Sequence, residues 1–353
     1  MLVDNLHSFD ASISVNRSSC RSPMPIFLPS LKNSGHLDQI HITLCNVGSR
    51  KLGESDDYGN QGWNYFAPKL AIYGFDADAD ACDEANLDLD NRQINWTERH
   101  IPLAMGNAEK EATLYVTNHP MCSSLYSPNE VFLERFQHLS EFMNLDFTVE
   151  IETTTLDSFC ESEDIQEVDF LQIDVQGADL QVLEGASRLL KNSVLGIKIE
   201  VEPSPLYLHQ PLFADVDTYL RSQEFTLFDV VFARRPRARS PIVSSTHPGQ
   251  ILWGDAFYFY DFLRQDMNLS RPKTPEQIFK LACIADVMDF PDYALEVLEY
   301  LTLNYGKDDP KYNFANHIMT GLSHVPGLVE QGLDSLPIMA SLKEFITATP
   351  SVR

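Results

Sequence analysis

Val168-Asp169-Phe170-Leu171-Gln172-Ile173-Asp174-Val175-Gln176-Gly177-Ala178-Asp179 is the stretch on which the fold turns. Its first eight residues read as a buried strand, with Phe170, Gln172 and Asp174 on one side and Leu171, Ile173 and Val175 on the other. Gln176-Gly177 then make a tight turn. Val182, Leu183, Ala186, Leu189 and Leu190 follow at helical spacing, before a second apolar run at 194–201. Strand, crossover helix and strand make a parallel βαβ unit. Asp174 arrives at the carboxyl end of its strand, where open α/β sheets bind their ligands.

Working outward, apolar runs at 41–47, 70–75 and 95–104 alternate with helical patterns, which predicts a mostly parallel sheet covered on both faces. The pattern changes after Tyr219. Runs at 225–232 and 251–260 read as two long strands with no helix between them, so an antiparallel hairpin closes the sheet. The first strand ends in Cys45-Asn46-Val47-Gly48-Ser49-Arg50, where Gly48 lets backbone approach a ligand closely. The second ends in Gly74-Phe75-Asp76-Ala77-Asp78, and Asp76 is placed to accept both hydroxyls of a ribose. On the run at 194–201, Lys198 and Glu200 share a side with Glu202 just beyond. A Pro-rich loop then leads to His209, whose imidazole can take a proton from a hydroxyl.

A formal net charge of -25 excludes nucleic acid as a partner, because that affinity comes from Lys and Arg meeting phosphates. Arg234, Arg235, Arg237 and Arg239 read as an exposed hairpin loop. The six cysteines form no CxxC pair, so neither a metal site nor a disulfide framework is expected. No apolar window is long enough to span a bilayer, and the reading is a cytoplasmic protein with reduced thiols. Residues 1–35, with Pro23, Pro25 and Pro29, read as an extended arm, and residues 36–265 as the catalytic domain. Residues 266–353 read as a helical extension. Thr274, Pro275 and Gln277 cap its first helix to about Asp289, and a second runs from Pro291 until Gly306 stops it. That extension can pack on the main domain or join two copies in a homo-oligomer.

The stretch at 168–179, followed by Val182-Leu183-Glu184-Gly185-Ala186, resembles the central signature of FkbM-type methyltransferases. Cys122-Ser123-Ser124-Leu125-Tyr126, Thr154-Thr155-Leu156-Asp157 and Ile199-Glu200-Val201-Glu202 fit the same family in order. The resemblance implies a class I methyltransferase (Rossmann-like) fold, S-adenosylmethionine as cofactor, and O-methylation of a hydroxyl on a small molecule or sugar. By position it assigns Asn46, Gly48 and Ser49 to the cofactor loop and Asp76 to the ribose, with Ala77 beside it among the cofactor-binding residues. Ala104 and Met105 fall at the turn that flanks the adenine, and Asp174 and His209 are the candidate catalytic groups. Asn46 stands where the family usually has an acid, and Lys51-Leu52 where glycine is common. Those departures raise the alternative of a degenerate methyltransferase fold that serves as a binding or assembly module.

Overall fold

The computed structural model describes residues 24–51 and 61–346. Its strands are β1 (Ile42–Val47), β2 (Leu70–Asp76), β3 (Thr97–Pro102), β4 (Ala104–Met105), β5 (Lys110–Thr117), β6 (Leu145–Thr154), β7 (Phe170–Ile173), β8 (Gly196–Val201), β9 (Thr226–Arg235) and β10 (Gln250–Phe259). Seven of them form one sheet in the order β3-β2-β1-β7-β8-β10-β9. Pairing is parallel from β3 through β8, and β10 alone runs against its neighbours. The chain winds outward from β1 to β3 and then back across to β7 and β8. The switch point therefore lies between β1 and β7, where such sheets open a crevice. The expected parallel sheet and closing hairpin are both present.

Helices α1 (Leu28–Asn33), α2 (Ala79–Arg92), α3 (Glu130–Leu133), α4 (Leu139–Met143), α5 (Leu156–Ser162), α6 (Asp179–Glu184), α7 (Ser187–Asn192), α8 (Phe213–Ser222), α9 (Pro275–Val287), α10 (Pro291–Tyr305) and α11 (Ala315–Ser323) complete the main elements. Strand alternation sorts them to two faces. Phe75 meets Phe159 of α5 at a ring separation of 4.8 Å, while Phe170 meets Trp63 at 5.0 Å. Tyr258 of β10 donates to Asp217 of α8, and Tyr219 of α8 donates to the Leu183 carbonyl of α6.

The C-terminal helices are built into this core. Lys280 of α9 donates to Asp169 at 2.9 Å, and the other oxygen of Asp169 accepts the Thr43 N–H of β1. Asp286 of α9 accepts three backbone N–H groups, from Ile26, Phe27 and Leu28, each at 2.9 Å. Phe27, Leu44, Phe170, Ile284, Leu298 and Ile318 belong to one continuous apolar cluster. Where an extended arm is expected, residues 28–33 form α1, with Pro29 in its first turn as prolines prefer. Residues 1–23 of that arm lie outside the described residues. The capped helix at Thr274 is present, and its Thr274 hydroxyl accepts the Gln277 N–H.

A second sheet, β4-β6-β5, is absent from the sequence reading. It places Ala104 and Met105 in a short strand paired with Thr153 and Thr154, which corrects the expectation that these two residues lie in a turn. Among the described residues no helix is long and apolar enough to cross a membrane.

Candidate active site

The ends of β1, β2, β7 and β8 meet at the switch point, and β1 organises them. After Val47 the chain turns at Gly48, whose φ is +85°. A Cβ there would lie 1.8 Å from the Asp174 carbonyl oxygen, so glycine is required by the contact with the β7 exit. The N–H groups of Gly48 and Ser49 both point to the Phe75 carbonyl at 2.9 Å, and the Asp174 N–H donates to the Val47 carbonyl. Backbone bonds thus tie the three strand ends together. Asn46 is buried and its Oδ1 has no hydrogen-bond partner among the described residues.

Ser49 is buried beside His100. Its hydroxyl lies 3.2 Å from His100 Nδ1, and His100 Nε2 lies 3.3 Å from Glu98 Oε1. Glu98 also accepts from Lys51 and Trp96, and these donors hold its carboxyl down at about 2 against the cost of burial. Gly74 makes room for this chain, since a Cβ would sit 2.5 Å from His100 Nδ1. Leu52 and Gly53, further along the loop, lie outside the described residues.

Asp76 closes β2. Its Oδ1 accepts the Asp78 N–H at 2.8 Å, while Arg50 pairs with Asp78 beside it. Burial raises the Asp76 carboxyl, and the N–H groups of Asp78 and Arg50 pull the other way. Ala77 is exposed next to it.

Asp174 stands at the β7 exit with Gln176 and Gly177 in consecutive left-handed conformations, φ +55° and +89°. The turn is closed by Asp179, which accepts the N–H groups of Val175 and Gly177, so Asp174 is free of capping duty. The Gln176 amide donates to Asp174 and to Glu200, each at 2.7 Å. Its Oε1 lies 2.9 Å from the Tyr207 hydroxyl, which fixes the orientation of the amide. Burial raises the carboxyls of Asp174, Glu200 and Glu202, and pushes Asp179 up to about 7. Carboxyls this close and this buried cannot all ionise together near neutrality.

The loop after β8 contributes differently from its reading in sequence. Tyr207 and Gln210 turn inward and are buried, with the Gln210 side chain accepting the Tyr207 N–H. His209, between them, is exposed at φ +63°. Tyr207 belongs to a small apolar cap of Cys122, Leu133, Phe136 and Leu206 over this end of the sheet. Ser124 donates to the Gln176 carbonyl and Gln181 to the Tyr126 hydroxyl, anchoring that cap to the β7 turn. Tyr207 and Gln176 were not singled out as site residues in sequence. A buried tyrosine two residues from a candidate histidine, in a loop that leaves the sheet at its ligand end, is the signal that could have found the first.

A seven-stranded sheet with this order and a single reversed strand, carrying acids at the ends of β2 and β7, is the fold of the class I methyltransferases. Residues 56–227 match the family model of the methyltransferase FkbM domain, and the chain carries that domain. Similar solved structures include the methyltransferase FkbM of Methylobacillus flagellatus KT, at 14% identity and a TM-score of 0.36 over 62% of this chain and 44% of that one. This chain therefore spans less than half of that protein's length. A SAM-dependent methyltransferase from Aquifex aeolicus shows 11% identity over 72% and 97% of the two chains, with a TM-score of 0.29. TrmK of M. capricolum, in complex with S-adenosyl-homocysteine, shows 9% identity over 84% and 96%, with a TM-score of 0.28. No curated protein sequence matches the chain.

Proposed function

We propose that the chain is an S-adenosylmethionine-dependent O-methyltransferase acting on a hydroxyl of a small molecule or sugar. The observation that carries this reading is the Asp174–Gln176–Glu200 arrangement, a hydrogen-bonded pair of carboxyl groups at the switch-point crevice. The residues present fit the cofactor. Asn46 offers a buried acceptor oxygen without a partner among the described residues, and Asp76 offers a carboxylate at the β2 exit. Those two would hold the methionine amino group and the ribose hydroxyls, with Ala77, Ala104 and Met105 on the adenine side. When bound, S-adenosylmethionine supplies a methyl group on a sulfonium, whose C–S bond breaks as the acceptor's C–O bond forms.

What the chain must add is position and a proton acceptor. Asp174 takes the hydroxyl proton, and burial raises its carboxyl, which makes it a stronger proton acceptor than an exposed carboxylate. Gln176, held by Tyr207, keeps the Asp174 and Glu200 carboxyls facing each other. His209, exposed and hydrogen-bonded to none of these groups, is assigned to the acceptor side of the opening.

Calorimetric titration with S-adenosylmethionine tests the cofactor first. Saturable binding that weakens in Asp76→Ala supports the reading. A folded sample that binds none favours the alternative, a degenerate fold serving assembly. Asp174→Asn should lower turnover by about 10²-fold or more with cofactor affinity nearly unchanged. Equal loss of both would reassign Asp174 to holding the cofactor.

A further inference from the structure

Five carboxyl groups gather at the ends of β7, β8 and β10, against one resident ammonium. Asp174 and Asp179 flank the β7 turn, Glu200 is next to last in β8, Glu202 follows two residues on along the same face, and Asp255 is in register with Glu200 on β10. Lys198 lies 3.3 Å from Asp255, and these two side chains are 30% and 42% exposed, at the mouth. Asp174 and Glu200 are half-buried behind them. Glu202 is only 3% exposed, and its Oε1 has no hydrogen-bond partner among the described residues. It acts electrostatically on Glu200 and feels Asp174 and Asp179, so it belongs to the same group.

A buried carboxyl with an idle oxygen, behind a half-open acidic pair, is costly to keep unless something polar completes it. Among the described residues no three acids, histidines or cysteines are placed to hold a metal ion, whereas an organic ammonium, with three N–H donors and one positive charge, suits an acceptor-only pair of carboxylates. The cofactor's own ammonium is on the wrong side. β8 and β10 lie two and three strands from β1, about 10 and 14 Å at the usual strand spacing, while Asn46 and Asp76 sit on β1 and β2.

We propose that the methyl acceptor carries an amino group beside its hydroxyl, and that its ammonium binds between Glu200 and Asp255 with Glu202 behind them. The proposal rests on the methyltransferase reading for the word acceptor; the ammonium site itself does not. Asp174 is left to the hydroxyl, and Lys198 occupies part of the site until the acceptor arrives.

The test is calorimetry on the full chain at fixed ionic strength with glucosamine, N-acetylglucosamine and S-adenosylhomocysteine as separate probes. Glucosamine should bind at least tenfold more tightly than N-acetylglucosamine, which has the same hydroxyls without the charge. Glu200→Gln should weaken glucosamine at least tenfold while leaving S-adenosylhomocysteine within about twofold, and Lys198→Met should tighten glucosamine several-fold. Equal binding of the two sugars, no glucosamine binding by a chain that binds S-adenosylhomocysteine, or indifference of glucosamine to Lys198→Met would overturn the proposal. Glucosamine binding with this pattern in a chain that does not bind S-adenosylhomocysteine would keep the ammonium site and remove the methyltransferase reading.

Discussion

Gly48 shows how one residue can shape a site through its backbone alone. In sequence it reads as the glycine that lets a cofactor approach. In the structure its missing side chain is what allows β1 to close on the Asp174 carbonyl. Gly48→Ala therefore combines a left-handed backbone with a backbone collision, and should destabilise the protein by more than about 2 kcal/mol. Urea unfolding measures this, and a loss below about 1 kcal/mol would show that the loop relaxes freely. Asp174 was legible because strand alternation carried it to the right end of the right strand. Tyr207 was not, because its value lies in a hydroxyl that meets Gln176, thirty-one residues away in sequence.

At the scale of elements, the βαβ unit at the centre, the closing hairpin and the helix capped at Thr274 could all be read from periodicity and capping residues. The second sheet was not read, although Leu145, Phe147, Val149 and Ile151 alternate with polar residues through β6. What no local pattern announces is α9's two buried charges. Lys280 pairs with Asp169, and Asp286 collects three N–H groups at the start of α1. Asp286→Ala leaves those donors without their acceptor and should cost about 3 kcal/mol or more, since each buried, unpaired N–H costs about 1–3. Asp286→Asn, with one acceptor oxygen, should fall between. Denaturant midpoints of the two variants check the order, and equal midpoints would mean that water replaces the carboxylate.

For the whole molecule, the buried acids set the pH dependence. Asp174, Asp179, Glu200 and Glu202 all have carboxyls raised by burial, so the folded state binds protons more readily than the unfolded chain. Their stabilisation is complete below the ordinary carboxylate range and is lost as pH rises through the folded values, which for Asp179 means between 3.8 and about 7. His317 works the other way. Burial lowers it from 6.5 to about 4, so its contribution is lost as pH falls through that window. The acids outnumber it, and the net charge of -25 adds self-repulsion in the same direction. Melting temperature should therefore rise as pH falls from 8 towards 6. Glu202→Gln, which removes one raised carboxyl, should flatten the alkaline side, and an unchanged slope there would take Glu202 out of the titrating group.

The sequence by itself determined that the sheet is mostly parallel, that a hairpin closes it, and that Asp76 and Asp174 arrive at strand ends, because period, length and turn residues are local properties. The tertiary structure alone decided which side chains share the crevice. It turned Ser49 inward to His100, put Tyr207 and Gln210 inside while His209 stayed out, and drew Glu202 and Asp179 into one buried acidic group. It also folded α9 onto the sheet through Asp169 and α1. Those outcomes depend on burial and on distances between residues tens or hundreds apart, and neither is written in any window of the chain.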